Sequence, residues 1–210
     1  MPGGCLVERD AAIIDLCRGK RVLHLGADAP FHASKAAAGE LLHTKVAAVA
    51  RELIGLDSDT QAVRELQWEY GVSDIVPGDA ADPPIGALER DYDVVLACDI
   101  IEHVPDAGRL LRSCRAVGRG ANLVVTTINA TGAKPALRAL FRREAVHPDH
   151  VAYYSYSTLC QLLQRVGYKP TLFGAFLYPS VRRSVGVAFS RVARFSPGIA
   201  DGIVIVANDE

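Results

Sequence analysis

The stretch RVLHLGADAP, Arg21 to Pro30, decides how the rest of the chain is read. A run of strand character meets a glycine and then a short turn, the outline of a strand ending where nucleotide-type cofactors sit. A dinucleotide-binding turn carries three spaced glycines, whereas this one carries Gly26 alone.

Working outward, residues 8 to 19 read as a helix leading into this strand, and the alanine-rich stretch around 34 to 50 reads as a long helix leaving it. LIGLDSD supplies a second strand at 53 to 57, and DTQAVRELQWEYG is a helix stopped by Gly71. A short strand near Ser73 to Val76 leads into PGDAAD. YDVVLACD is an apolar run of strand length, DAGRLLRSCRAVG is helical, and ANLVVTTIN is another buried strand. In the last third SYSTLCQLLQRVG reads as a helix with Ser157 as N-cap and Gly167 beyond its end. KPTLFGAFLY and DGIVIVAND read as strands, separated by an excursion from Pro179 to Ala200. Almost wholly apolar strands alternating with helices predict an α/β protein whose doubly wound, mostly parallel sheet is covered on both faces. With no repeat or convincing linker, residues 1–210 read as one domain.

The 210 residues, half of them apolar, can bury a sizeable core. With 23 basic and 24 acidic residues the chain lacks the positive charge that attracts a polyanion, which argues against a nucleic-acid partner. The five cysteines are widely spaced, odd in number and contain no C-x-x-C pair, so neither a disulfide framework nor a zinc knuckle is indicated. The N-terminus shows no signal-peptide pattern, and no apolar run approaches the roughly 20 residues of a membrane helix. These features predict a soluble, cytoplasmic protein without a membrane partner.

Ligands of open α/β sheets bind beyond the carboxyl ends of the strands. Those ends are Gly26 to Ala29, Asp57, Asp79, Asp99 to His103, and Thr126 to Asn129. Asp57, with Ser58 beside it, can accept both hydroxyls of a ribose, because an ionised aspartate only accepts. The alternative is a helix N-cap, for which Asp59 is better placed. Gly26 lets the backbone pass close to a ligand. The missing second glycine disfavours the pyrophosphate of NAD, and S-adenosylmethionine, which carries adenosine without phosphates, fits the loop better. Asp79 is a candidate for the exocyclic amine of adenine, with Ala80 and Ala81 leaving room for the ring. A plain turn helped by Pro77, Gly78 and Pro83 is the alternative.

The segments VLHLGAD, LIGLDSD, GDAAD, YDVVLACDIIEHVPD and LVVTTIN resemble, in order and spacing, the class I S-adenosylmethionine-dependent methyltransferases over roughly residues 20 to 130. From DIIEHVPD onward the chain is similar to the small-molecule branch, which includes ubiquinone-pathway O-methyltransferases and sugar or natural-product methyltransferases. The resemblance implies a Rossmann-like, seven-stranded sheet whose last strand runs antiparallel. It also implies that Gly26, Ala27 and Asp28 hold the methionine part, that Asp57 holds the ribose and Asp79 contacts adenine, and that Asp99 and Ile100 line the pocket. The chain departs from the family in its first loop, where Asp28 and Pro30 replace the later glycines.

Transfer to a hydroxyl acceptor needs a base, and His103 in DIIEHVPD stands just past the fourth strand. A structural imidazole bonded to Glu102 or the loop is the alternative, and a third reading makes Asp99, Glu102 and His103 ligands of a divalent ion such as Mg²⁺. The cluster HPDHVAYYSYS offers His147 and His150 as rival bases, with Tyr153 and Tyr154 as ring-stacking candidates. Arg143, with Arg138 and Arg142, suits an anionic group on the acceptor or a solvated helix face. His43, in the stretch between the first two strands, is a candidate near the cofactor entrance or part of a polar stripe. The leading expectation is a small-molecule O-methyltransferase whose acceptor segments lie near 130–155 and 177–200. An NAD-dependent oxidoreductase and a catalytically silent binding or scaffold protein are its rivals. LFGAFLYPSV is apolar enough for core, substrate wall or the surface of a homodimer.

Overall fold

A computed structural model of the chain describes residues 4–27, 32–84, 88, 90–144, 146–178 and 191–209. Among the described residues eight strands form one sheet: β1 (Cys5–Leu6), β2 (Arg21–Leu25), β3 (Glu52–Asp57), β4 (Ile75–Pro77), β5 (Val94–Cys98), β6 (Asn122–Ile128), β7 (Tyr168–Phe176) and β8 (Gly202–Asp209). Their order is β1-β7-β8-β6-β5-β2-β3-β4. β8 runs antiparallel to both β6 and β7, while the other pairs are parallel. Seven strands thus follow the expected arrangement. The eighth, β1, is a two-residue edge strand beside β7, too short to leave a hydrophobic pattern in sequence.

Helices among the described residues include α1 (Arg9–Cys17), α2 (His32–Ala37), α3 (Leu42–Ala47), α4 (Thr60–Tyr70), α5 (Ala107–Val117), α6 (Ala133–Leu140) and α7 (Tyr156–Arg165), and a 3-10 turn spans Pro197–Ile199. The single helix expected over 34–50 is two short ones, because Gly39 takes a φ of 66° between them. Asp59 caps α4 by accepting from Gln61 N and Ala62 N, and Gly71 ends it with a φ of 68°. α7 is capped by Ser155, not Ser157. Its hydroxyl accepts from Thr158 N while Thr158 Oγ1 accepts from Ser155 N, a reciprocal box that Ser157 is too far along to make. Among the described residues no helix is long and apolar enough to cross a membrane.

Alternate residues along each strand face opposite sides of the sheet. Leu23, Val95, Ala97, Leu123 and Val125 pack with α5 and α7 through Leu110, Leu111, Leu159 and Leu163. Val22, Leu96, Cys98 and Val124 pack on the other side with Ile13 and Cys17 of α1 and Val46 of α3. His24 belongs by alternation to this second face, which brings it under α1 and α3. Burial pushes the thiols of Cys17, Cys98 and Cys114 up to about 12.

Candidate active site

The carboxyl ends of β2, β3, β5 and β6 lie side by side, and their residues form the site. Gly26 takes a φ of 68°, a left-handed conformation that costs glycine little. A Cβ there would also stand 3.0 Å from Ile100 Cδ1, so Ile100 closes the loop from behind. The Gly26 amide donates to Leu56 O at 2.9 Å, and Ala27 is buried beside it. Asp28 lies outside the described residues.

Asp99 also takes a left-handed φ, 52°, which aspartate tolerates better than most residues. Its Oδ2 accepts from Arg9 Nη2 at 2.7 Å and its Oδ1 from Thr126 Oγ1 at 2.8 Å. Thr126 in turn accepts from the Asp99 amide at 3.1 Å. Arg9 is inside the fold at the start of α1. Burial opposes its charge, yet Asp99, Cys98 and Asp10 hold the guanidinium protonated well above its ordinary range.

Asp57 Oδ1 accepts from Asp59 N at 2.9 Å, and the Asp57 carbonyl accepts from Gly78 N at 2.7 Å, which ties the ends of β3 and β4 together. Ser58 is exposed next to it. Asp79 Oδ1 accepts from Ala81 N at 2.8 Å, a local turn bond. Ala80 and Ala81 are buried in the same core as Leu56 and Leu88.

A cavity of about 420 Å³ opens under Gly26 and Ala27, between α1, α3, the end of β5 and the end of β7. Two buried polar atoms of its lining residues, Arg9 Nε and His24 Nε2, have no partner among the described residues. His43 does not reach a ligand entrance as expected. It is fully buried, with Nδ1 3.2 Å from His24 Nδ1 and Nε2 3.1 Å from Asp74 Oδ1. Gly55 makes room for it, since a Cβ there would fall 2.7 Å from His43 Cε1.

The other sheet face carries the histidines. His103 and His150 meet edge to face with centroids 4.6 Å apart, and His147 lies 4.9 Å from His150. His103 Nδ1 donates to the Asp149 carbonyl at 3.1 Å. A carbonyl only accepts, so Nδ1 carries a proton, and in the neutral imidazole the lone pair lies on Nε2. His147 Nδ1 accepts from Asp149 N at 3.3 Å. His150 Nδ1 is buried without a partner among the described residues, and burial followed by the charges of His103 and His147 lowers its pKa. The Glu102 side chain is buried beneath them and accepts from Thr127 Oγ1 at 2.8 Å. Burial first, and then Asp99, push its carboxyl up to about 7.

Three candidates expected separately as bases therefore share one cluster. The sequence's ion-binding alternative changes membership: Asp99 is engaged with Arg9 and Thr126, and His150 stands in its place. Ligand atoms of Glu102, His103 and His150 lie within 4.8 Å of one another, a spacing that could hold a divalent ion. Tyr153 is partly exposed with its ring 5.8 Å from His150, and Tyr154 bridges to Asn129. Arg143 lines a second cavity of about 660 Å³ beside α6, together with Arg138, Arg142 and Tyr153. Sequence reasoning passed over Arg9 and His24. A histidine inside an apolar strand was the available signal for the second, whereas nothing local marks Arg9.

This arrangement gathers polar groups at the carboxyl edge of an α/β sheet, and comparison with known proteins places it further. A profile described as a methyltransferase domain matches residues 13–172, and the chain belongs to that family. It has the class I S-adenosylmethionine-dependent methyltransferase fold. The chain is 30% identical over 139 residues to a probable S-adenosylmethionine-dependent methyltransferase of Mycobacterium tuberculosis, covering 65% of this chain and 48% of that protein. It is 32% identical over 115 residues to the ubiquinone biosynthesis O-methyltransferase of Proteus mirabilis, covering 53% of this chain and 43% of that protein. The chain thus spans about half the length of the curated relatives it matches. The crystal structure of a SAM-dependent methyltransferase from Archaeoglobus fulgidus superposes with a TM-score of 0.63 at 19% identity, covering 96% of this chain and 91% of that one, a likeness of fold.

Proposed function

We propose that the chain is an S-adenosylmethionine-dependent methyltransferase acting on a small-molecule acceptor, a hydroxyl on a sugar, natural-product or aromatic intermediate. The convergence of His103, His147 and His150 at the carboxyl edge of the sheet carries this reading. Relatives described as ubiquinone biosynthesis O-methyltransferases support the choice of oxygen.

The residues fit the cofactor. Buried polar atoms without protein partners, here Arg9 Nε and His24 Nε2, call for a polar ligand, since leaving them unmade costs roughly 1–3 kcal/mol each. They flank the loop of Gly26 and Ala27, while Asp57 at the end of β3 suits a ribose diol, with Ser58 beside it. Asp79 and Ala80 would approach adenine, Ile100 would back the loop, and Asp99 would hold Arg9 in place. When bound, the sulfonium supplies an activated methyl group.

The chain's own residues then orient the acceptor and take its proton. In neutral His103 the lone pair lies on Nε2, because Nδ1 is committed to Asp149 O, and burial favours the neutral form of His150. Either can accept the hydroxyl proton, which lowers the barrier to transfer. Tyr153 and Tyr154 offer ring faces to the acceptor, and Arg143 suits an anionic substituent on it. No step requires an ion at Glu102, His103 and His150.

The test is calorimetry with S-adenosylmethionine, S-adenosylhomocysteine and NAD, followed by an acceptor screen read as S-adenosylhomocysteine released. Micromolar binding of the methyl cofactors, no NAD binding and turnover with hydroxyl acceptors are expected. Folded, ligand-free protein that binds neither methyl cofactor would overturn the reading.

A further inference from the structure

The face of the sheet opposite the histidine cluster holds a second row of polar groups, His24 and His43 buried and Asp74 half-buried at its end. Asp74, at the start of β4, lies 3.1 Å from His43 Nε2, a contact too bent for a full hydrogen bond but close enough to set the sign of the interaction. His43 Nδ1 lies 3.2 Å from His24 Nδ1, with the rings nearly parallel at 14°. His24 Nε2 has no partner among the described residues, and His24 lines the cavity under Gly26.

Elementary chemistry orders the protons along this row. A lone pair on His43 Nε2 facing a carboxylate at that distance would be repelled, so Nε2 carries the proton, and Asp74 gains from it, its pKa being lowered first by His43. In the neutral form of His43 the lone pair lies on Nδ1, and the two Nδ1 atoms then bond only if His24 Nδ1 donates. His24 is thereby left with a bare lone pair on Nε2. Burial, His43 and Arg9 all disfavour its charged form. Arg9, on the same cavity, bonds Asp10 through Nη1 and Asp99 through Nη2, and Nε is its buried nitrogen with no protein partner among the described residues.

We propose that Asp74 and His43 fix His24 in the tautomer that makes Nε2 a hydrogen-bond acceptor for an ammonium, and that Arg9 Nε is the paired donor for a carboxylate. Together they read the zwitterionic amino-acid end of the cofactor. One acceptor and one donor, both buried and both unused, are complementary to an α-amino acid and mismatched to a phosphate, which offers no donor comparable to an ammonium. His24 acts on the ligand directly, whereas His43 and Asp74 are positioning residues. This inference rests on the cofactor reading above and adds the recognition of its charged end.

Two measurements test it. Long-range ¹H–¹⁵N NMR of the ligand-free protein should find His24 protonated on Nδ1 and bare on Nε2, and Asp74→Ala should abolish that preference. Calorimetry should compare S-adenosylhomocysteine with 5′-methylthioadenosine, which shares the adenosine but lacks the amino-acid end. Asp74→Ala should weaken S-adenosylhomocysteine about tenfold, the loss of roughly one hydrogen bond, and leave 5′-methylthioadenosine within about twofold, with Asp74→Asn recovering part of the loss. Wild-type protein that binds both ligands equally, or a variant that loses both equally, would overturn the inference while leaving the cofactor reading intact. If neither binds wild-type protein, the cofactor reading itself falls, and a His24 proton found on Nε2 overturns the relay whatever binds.

Discussion

Thr126 and Thr127, consecutive at the end of β6, each donate a hydroxyl at 2.8 Å to a different carboxylate, Asp99 and Glu102 respectively. Successive strand residues face opposite sides of a sheet, so this pair divides the site in two. Thr126 secures the Arg9 and His24 side, and Thr127 secures the side where the histidines gather. In the proposed function, cofactor recognition and acceptor chemistry would thereby rest on adjacent residues of one strand.

Removing the base should slow transfer without emptying the cofactor site. His103→Gln or His150→Gln is expected to lower kcat for a hydroxyl acceptor by about 10²–10⁴-fold for whichever residue takes the proton. The calorimetric affinity for S-adenosylhomocysteine should stay near wild type. Unchanged kcat in both variants would remove the imidazoles from the chemistry.

The ribose role of Asp57 predicts a binding defect. Asp57→Ala should weaken S-adenosylhomocysteine about 10- to 100-fold, the range of a charged hydrogen bond or two. Because Asp57 Oδ1 also holds the Asp59 amide, thermal unfolding must be measured in parallel. A loss of Tm with no loss of affinity would assign Asp57 to the turn alone.

Glu102 should make stability fall with rising pH. Its carboxyl sits at about 7 in the fold against 4.5 as an ordinary glutamate, so between those values the folded chain holds the extra proton. The contribution is fully present below about pH 4.5 and lost as pH rises through about 7, on the order of 3 kcal/mol. Denaturant unfolding of wild type and Glu102→Gln at pH 5 and pH 8 checks it. The variant should gain on wild type at the higher pH, and parallel curves would contradict the buried carboxyl.

Gly26→Ala should be destabilising by about 1–2 kcal/mol from the left-handed backbone, with added strain from the 3.0 Å approach to Ile100. Gly19→Ala, also at a φ of 68° but with nothing near its Cβ, is the matched control. Equal losses in the two variants would show that Ile100 yields easily.

Chelation distinguishes the two uses of the histidine cluster. Excess EDTA should leave methyl transfer unchanged if Glu102, His103 and His150 work as proton-transfer groups. Loss of turnover restored by one divalent ion would make them its ligands.

What the sequence determined by itself is what local chemistry controls. Apolar runs at Arg21–Leu25, Val94–Cys98 and Asn122–Ile128 admit little besides buried parallel strands. Asp59 and Gly71 mark the ends of α4 because a side-chain acceptor and a left-handed residue are needed at those points. Strand ends then follow, and with them Gly26, Asp57, Asp79 and Asp99. The break at Gly39 and the cap at Ser155 show where this reading weakens, since neighbouring positions offer nearly equal local signals.

Only the tertiary structure decided which polar residues meet. His103 and His150 belong to segments joined by β6 and α6, and their contact exists because the Val151 and Ala152 amides donate to the Glu102 carbonyl. His43 reads as a surface residue until Gly55, a strand away, opens the space that buries it against His24. Arg9 reaches Asp99 only because α1 lies across the sheet face that carries β5. Such pairings depend on packing between segments remote in sequence, and no local pattern records them.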